Sequence, residues 1–337
     1  MTNNSNPLSR AVRRGGRRRR CPQILGSVDE AGTNYENRPM SGEGGKPPER
    51  TERTSVDPEL LKECHENLVQ VFELIASLVP GGTVERCGGI TVVRTGYPLT
   101  IFNPVVALDT PKTPVGLSGI IDRILVRTGT PWALMTTPGT SEGLASLRDE
   151  FRLARSESTP GMVFSYGGSP LPSPPEGLDI HRVTERGELQ VYWRTVAEVF
   201  ELDLSFFDKF ADGMIAHQER FRRWYCYLGY SEGRPIGTAL LCTTPRVAGV
   251  YNVGTNSEYR RRGYGRALSL RAALDGLGAG CRISWLQASD MGGPLYEKLG
   301  YRAVEDLCYW VPSSAAKSAS SSPTWAGKTS PPSDSLS

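Results

Sequence analysis

At 337 residues the chain is long enough for two domains, each with a core of its own. No apolar run reaches the roughly 18 residues a membrane-spanning helix needs, and no charged-then-apolar signal segment opens the chain, so a spanning role is excluded and the expected location is cytoplasmic. The net charge of +3 is uneven: residues 1–56 hold eleven Arg/Lys against six Asp/Glu, which leaves residues 57–337 slightly acidic and argues against a broad nucleic-acid face.

Residues 1–56 mix Asn, Ser, Gly, Pro and Arg with few large apolar side chains. They are expected to be disordered, because so little burial cannot offset the entropy of ordering. The run Arg13-Arg14-Gly15-Gly16-Arg17-Arg18-Arg19-Arg20 reads as a solvated basic tail, its paired glycines opposing an amphipathic helix. A first folded unit, 57–166, opens at Asp57-Pro58, an N-cap followed by proline at the first helical position. Leu60, Leu61, Cys64, Leu68, Val71, Phe72 and Ile75 then recur at helical spacing up to Pro80. Strand-like runs at 83–95 and 99–108 precede a helix around 115–128, a strand at 131–136, a helix at 142–155 and a strand at 162–166.

The stretch 167–177 is Gly, Pro and Ser with little else, a linker by composition. A second unit, 178–312, starts with the alternation Leu178-Asp179-Ile180-His181-Arg182-Val183, as in a half-buried strand. Two helices are expected at 188–202 and 205–221, then a hairpin of strands 224–230 and 235–243 around Ser231-Glu232-Gly233-Arg234. Next come a strand at 247–255, a helix at 266–277, a strand at 283–288, a helix at 294–299 and a strand at 303–311. Residues 313–337, with ten serines and three prolines, read as a disordered tail in which Trp325 is the sole large side chain. Seven cysteines without a Cys-x-x-Cys pair, and only three histidines, give no reason to expect a metal site. Cys226, Cys242 and Cys281 sit in apolar runs as small buried hydrophobes.

Two blocks in the second unit carry chemistry. Arg260-Arg261-Arg262-Gly263-Tyr264-Gly265 lies between an apolar strand and a helix, so backbone N–H groups converge where the helix dipole is positive and form a phosphate seat. The two glycines let the main chain approach an anion, and Tyr264 between them can point away. A dinucleotide fingerprint fits worse, since its third glycine position holds Leu268. The second block, Gln287-Ala288-Ser289-Asp290-Met291-Gly292-Gly293-Pro294-Leu295-Tyr296-Glu297-Lys298-Leu299-Gly300-Tyr301, reads as a strand end, a short helix and a strand start.

In this order the two blocks resemble the GNAT superfamily of acetyl-CoA-dependent N-acyltransferases. The first is similar to its Arg/Gln-x-x-Gly-x-Gly/Ala pyrophosphate loop. The second is similar to its Tyr-Glu-Lys-Leu-Gly-Phe segment, with Tyr301 in place of the usual Phe. The resemblance covers 178–312 and implies an α/β fold on a mixed sheet. Residues 57–166 repeat the element order of the second half of that fold, which implies two tandem GNAT-like domains, the first degenerate and packed on the second; a separate binding module is the alternative. Its loop, Thr110-Pro111-Lys112-Thr113-Pro114-Val115-Gly116, loses an N–H at each proline, and no tyrosine there matches Tyr296.

The resemblance implies roles for particular residues. Backbone N–H groups of Arg261, Arg262, Gly263, Tyr264, Gly265 and Arg266 would hold the acetyl-CoA pyrophosphate, with the Arg260, Arg261 and Arg262 side chains adding charge-assisted bonds. Val253 and Thr255 would pair through their backbone with the pantetheine arm, and the Val253 N–H would face the developing oxyanion. Tyr296 would be the acid for the departing thiolate, since a phenol of pKa about 10 keeps its proton at neutral pH. Ser289 stands where many members place a pantetheine-binding Asn. For a general base the sequence offers no clear residue: Ala248-Gly249-Val250-Tyr251-Asn252-Val253 holds no carboxylate. Asp203, Asp212, His217 and Glu219 read as surface charges, and a water relay or an acceptor amine of low pKa would serve instead.

The function implied is acetyl transfer from acetyl-CoA to an amine, on a small molecule or a protein, by direct attack in a ternary complex without a metal. No membrane or nucleic-acid partner is expected. One rival is a non-catalytic acyl-CoA-binding or regulatory protein, for which the missing carboxylate speaks. Another is an interaction or nucleic-acid protein acting through its arginine tail.

Overall fold

The computed structural model describes residues 53–110, 112–168 and 172–313. The expectations for residues 1–52 and for 314–337, the arginine run and Trp325 among them, lie outside the described residues.

Helix α1 (Pro58–Leu78) starts as its sequence requires: the Asp57 carboxylate accepts the Glu59 N–H and Pro58 occupies the first turn. Strands β1 (Thr83–Cys87) and β2 (Ile90–Arg94) form a hairpin about Gly88 and Gly89, both at positive φ, and a turn at Thr100–Phe102 leads into β3 (Pro104–Ala107). Then come α2 (Leu117–Ile121), which widens into a π turn over Asp122–Val126, β4 (Ala133–Thr136), α3 (Pro138–Ser141), α4 (Ala145–Glu150) and β5 (Leu153–Phe164). The C-terminal half opens with β6 (Asp179–Arg182), followed by α5 (Arg186–Val199), α6 (Leu204–Phe207), α7 (Phe210–Ala216) and α8 (Gln218–Phe221). Strands β7 (Trp224–Ser231), β8 (Arg234–Thr243) and β9 (Val247–Thr255) lead to α9 (Tyr264–Gly278), β10 (Ile283–Gln287), α10 (Gly293–Lys298) and β11 (Arg302–Pro312).

All eleven strands join one mixed sheet in the order β1-β2-β3-β4-β11-β5-β10-β9-β8-β7-β6. Only β3–β4 and β9–β10 are parallel. Each half gives its last strand to the other: β11 lies between β4 and β5, and β5 lies between β11 and β10. The antiparallel β5–β11 ladder runs from Arg302↔Val163 to Pro312↔Leu153 and is the seam of the molecule.

The two faces of the sheet are covered by different helices. Val247 of β9 packs with Leu60, Cys64 and Leu68 of α1, whereas its neighbours Ala248 and Val250 pack with Leu268, Ala272 and Ala273 of α9, because successive strand residues face opposite ways. Val71, Ile75 and Leu78 of α1 join Trp193 of α5 and Phe210 of α7 on the first face.

Two expected helices are corrected. The helix expected at 142–155 ends at Glu150, and Leu153–Phe164 is a long strand in place of the short one at 162–166. Arg152, at φ +51°, breaks the helix, and pairing with β11 then holds the following residues extended, a tertiary demand that local propensity does not contain. The helix expected at 205–221 is three short helices. Phe206, Phe207 and Phe210 turn into a cluster with Trp193 and Tyr97, and packing these rings together outweighs continuous helical bonding.

Candidate active site

Strand β9 is paired with β10 only at Ile283↔Val247, Ser284↔Ala248 and Trp285↔Gly249. Beyond Gly249 the two part. β9 continues to Thr255, bulged against β8 between the Thr238 and Leu240 registers, with Asn252 at φ +49°. The Thr238 hydroxyl donates to the Asn252 carbonyl and pins the bulge. Residues Tyr251 to Thr255, Val253 among them, are half-buried along the opening thus made.

At the far end of β9 the chain turns at Ser257–Tyr259 and enters α9 through Arg261 at φ +62° and Gly263 at φ +80°. Arg260 folds back, its Nε donating to the Thr255 carbonyl at 3.2 Å, and Arg262 donates to the Glu258 carbonyl with its guanidinium over the Tyr259 ring. Tyr264 is buried, so its side chain leaves the seat clear. A Cβ on Gly265 would stand 3.4 Å from Thr255 Oγ1, and one on Gly263 would stand 3.3 Å from Pro175. The first internal bond of the helix is Ala267 N–H to the Gly263 carbonyl. Among the described residues no acceptor takes the N–H of Arg261, Arg262, Gly263, Tyr264, Gly265 or Arg266. Six consecutive donors at a helix N-terminus, with three arginines beside them, make an anion seat.

Helix α10 follows β10 on the same face as α9. Ser289 accepts the Gly292 N–H at 3.1 Å and so caps this turn, with its own hydroxyl proton left for another acceptor. Tyr296 is 9% exposed, edge-on to Tyr301 at 5.6 Å between ring centroids. Burial pushes its phenol up, opposed by a hydrogen bond with Ser269 on α9, so Tyr296 keeps its proton at neutral pH.

On the opposite face Tyr251 stands at the apex of the splay. Its hydroxyl donates to Asn67 Oδ1 of α1 at 2.6 Å, and Asn67 Nδ2 donates to the Cys242 carbonyl at 2.9 Å. A Cβ on Gly249 would collide with Asn67 Oδ1 at 1.9 Å, so glycine there admits the contact. The sequence reading missed Asn67: its partner is 184 positions away, and only the exchanged sheet brings them together. Asp203 caps α6 through its side chain, and Asp212 pairs with Arg186 on the surface.

Residues 222–303 match the family model of the acetyltransferase (GNAT) domain, a span that contains both sequence blocks, the splayed β9 and the anion seat. This chain carries a GNAT acetyltransferase domain. Its fold is that of a GCN5-related N-acetyltransferase from Kribbella flavida, at TM-score 0.54 and 18% identity over 73% of this chain and 95% of that one. A GCN5-related N-acetyltransferase from Sphaerobacter thermophilus is similar at TM-score 0.48 and 18% identity, over 62% of this chain and 72% of that one. A tandem GNAT protein from the clavulanic acid biosynthesis pathway is similar at TM-score 0.47 and 13% identity, over 73% of this chain and 94% of that one. No curated protein matches the sequence. Among the described residues no group of His, Cys, Asp and Glu is arranged to hold a metal ion, and no helix is long and apolar enough to cross a membrane.

Proposed function

We propose that the chain is an N-acetyltransferase that takes its acetyl group from acetyl-CoA and passes it to an amine by direct attack in a ternary complex. The observation that carries this reading is the row of six free N–H groups from Arg261 to Arg266 at the mouth of a splayed strand pair. The row suits the pyrophosphate, the Arg260–Arg262 guanidinium groups suit its charge, and the edge of β9 at Val253 and Thr255 suits an arm laid along it as an added strand. The Val253 N–H would then meet the oxygen that turns negative as the amine adds. Tyr296, buried and protonated on the α10 side, would give its proton to the departing sulfur.

The absence of a carboxylate from 248–253 favours a second reading, an acyl-CoA-binding protein without catalysis. The two readings part on thiol release from acetyl-CoA across a panel of amines. Release by the wild type that falls steeply in Tyr296→Phe supports the enzyme. Acetyl-CoA binding with no release for any amine supports the other. The expected cytoplasmic location and the identity of the amine belong with this proposal.

A further inference from the structure

The family reading leaves the proton of the acceptor amine unassigned, and the exchanged strand supplies a group for it. β10 stops at Gln287, opposite Gly161 of β5, while β5 runs on to Leu153 with β11 on its other edge. The lane that β10 vacates has β9 on one bank and β5 on the other. Neighbouring strands lie about 4.8 Å apart, so the banks are roughly 10 Å apart where β10 is paired on both sides, and the splay beyond Gly249 widens the lane further. Trp285 pairs with Gly249 and Gln287 with Gly161. The β10–β5 register, carried past Gln287, sets the turn Ser289-Asp290-Met291 alongside Thr159 to Glu157.

Thr159 and Glu157 share the β5 face of Gly161 and Val163. That is the α1 face, since Val163 packs with Leu60, Cys64 and Leu68. Tyr296 is on the other face, among the α9 residues. Thr159 is 7% exposed and lies beside the buried Tyr309 phenol, with which it shares a hydrogen bond. Glu157 is exposed and makes no ion pair with any described residue, and neither does Asp290, whose negative charge acts on it from the turn before α10. Surrounding burial and then Asp290 hold the Glu157 carboxyl above the usual carboxylate range, as suits a group that accepts a proton from an amine.

We propose that Glu157, on the strand the N-terminal half lends to the C-terminal half, receives the acceptor as an ammonium ion beside Asp290 and Thr159 and takes its proton. The inference rests on the acetyl-transfer reading and names its substrate class: amines charged at neutral pH. The ammonium gives one proton to the Glu157 carboxylate, which releases it to solvent. The neutral nitrogen then adds to the thioester carbonyl carbon, forming the C–N bond. As the adduct collapses the C–S bond breaks, the sulfur gains the Tyr296 proton, and the nitrogen loses its second proton, which restores the tyrosine through water. The balance is one amide, one thiol and one proton released.

The test measures thiol release from acetyl-CoA by the full chain, with a primary alkyl amine and with an aromatic amine that is neutral at pH 7. Glu157→Gln should lower kcat/KM for the alkyl amine by roughly 10²-fold and leave the aromatic amine within about threefold. Asp290→Asn should move the alkyl amine in the same direction by a smaller factor. Equal losses on both amines, or none on either, overturn this inference and leave acetyl transfer standing. If the wild type binds no acetyl-CoA and releases no thiol, the acetyl-transfer reading fails and this inference falls with it.

Discussion

The two halves put the same frame to opposite uses. In the C-terminal half the parallel pair β9–β10 parts after three registers, and the loop behind β9 presents six free N–H groups. In the N-terminal half the parallel pair β3–β4 stays joined through all four residues of β3, and the connection to α2 carries Pro114, which packs against Gly88. The turn into α2 bonds Leu117 N–H to the Pro114 carbonyl and so uses an amide that an anion seat would need. The end of β3 is plugged as well. Asp109 accepts from His65 Nδ1 at 2.7 Å, and His65 Nε2 bonds Glu305 of β11, so a buried imidazole sits clamped between two carboxylates. One half parts its sheet and leaves six amides free; the other fills the corresponding place with acid and fastens the two halves together.

The largest expected break in this comparison is at Tyr296. Tyr296→Phe should lower kcat by roughly 10²–10⁴-fold with the acetyl-CoA Kd unchanged, as measured by steady-state thiol release and by calorimetry.

Next is the plug. Replacing His65 by Ala leaves Glu305 buried without its partner and should cost about 3–5 kcal/mol in urea unfolding. Its pH dependence has a definite sign. Burial alone would lower the His65 pKa, but the hydrogen bonds and charges of Asp109 and Glu305 outweigh it and raise the value to about 9. A pKa raised above the unfolded value of about 6.5 means that the stabilisation is full below pH ~6.5 and is lost as the pH climbs to 9. Unfolding midpoints of wild type and His65→Ala should therefore converge between these limits.

A smaller effect is expected at the inter-half contact over the splay. Tyr251→Phe leaves Asn67 Oδ1 without its donor and should cost about 1–3 kcal/mol, read by the same unfolding curves. Smallest of all is the control in the closed half. Lys112→Ala, on the exposed loop behind β3, should change acetyl-CoA affinity by less than about 0.5 kcal/mol, because the described residues of that loop form no row of free amides.

Much of the open half was legible in the sequence. The Gly263-x-Gly265 spacing after an apolar run fixes a turn and a helix start whatever packs around them, and β9 spans Val247–Thr255 as its pattern predicts. The closed half was less so. Its break at Arg152 and the long strand after it depend on β11, which lies some 150 positions on, and periodicity within a window cannot carry such a pairing. For the same reason the exchange of β5 and β11 was not visible, and with it the approach of Asn67, Thr159 and Glu157 to the C-terminal site. Residues that act across the seam have no local signature; residues that shape a loop do.

The most direct test of the account is a thermal-shift titration with acetyl-CoA on the wild type and on the Gly263→Asp, Gly265→Asp double variant. At one hundred times its Kd the ligand should stabilise the wild type by about 2.7 kcal/mol and leave the double variant unmoved, since each aspartate puts a like charge and a side chain into the anion seat. Equal stabilisation of both proteins would place the ligand elsewhere and contradict the account.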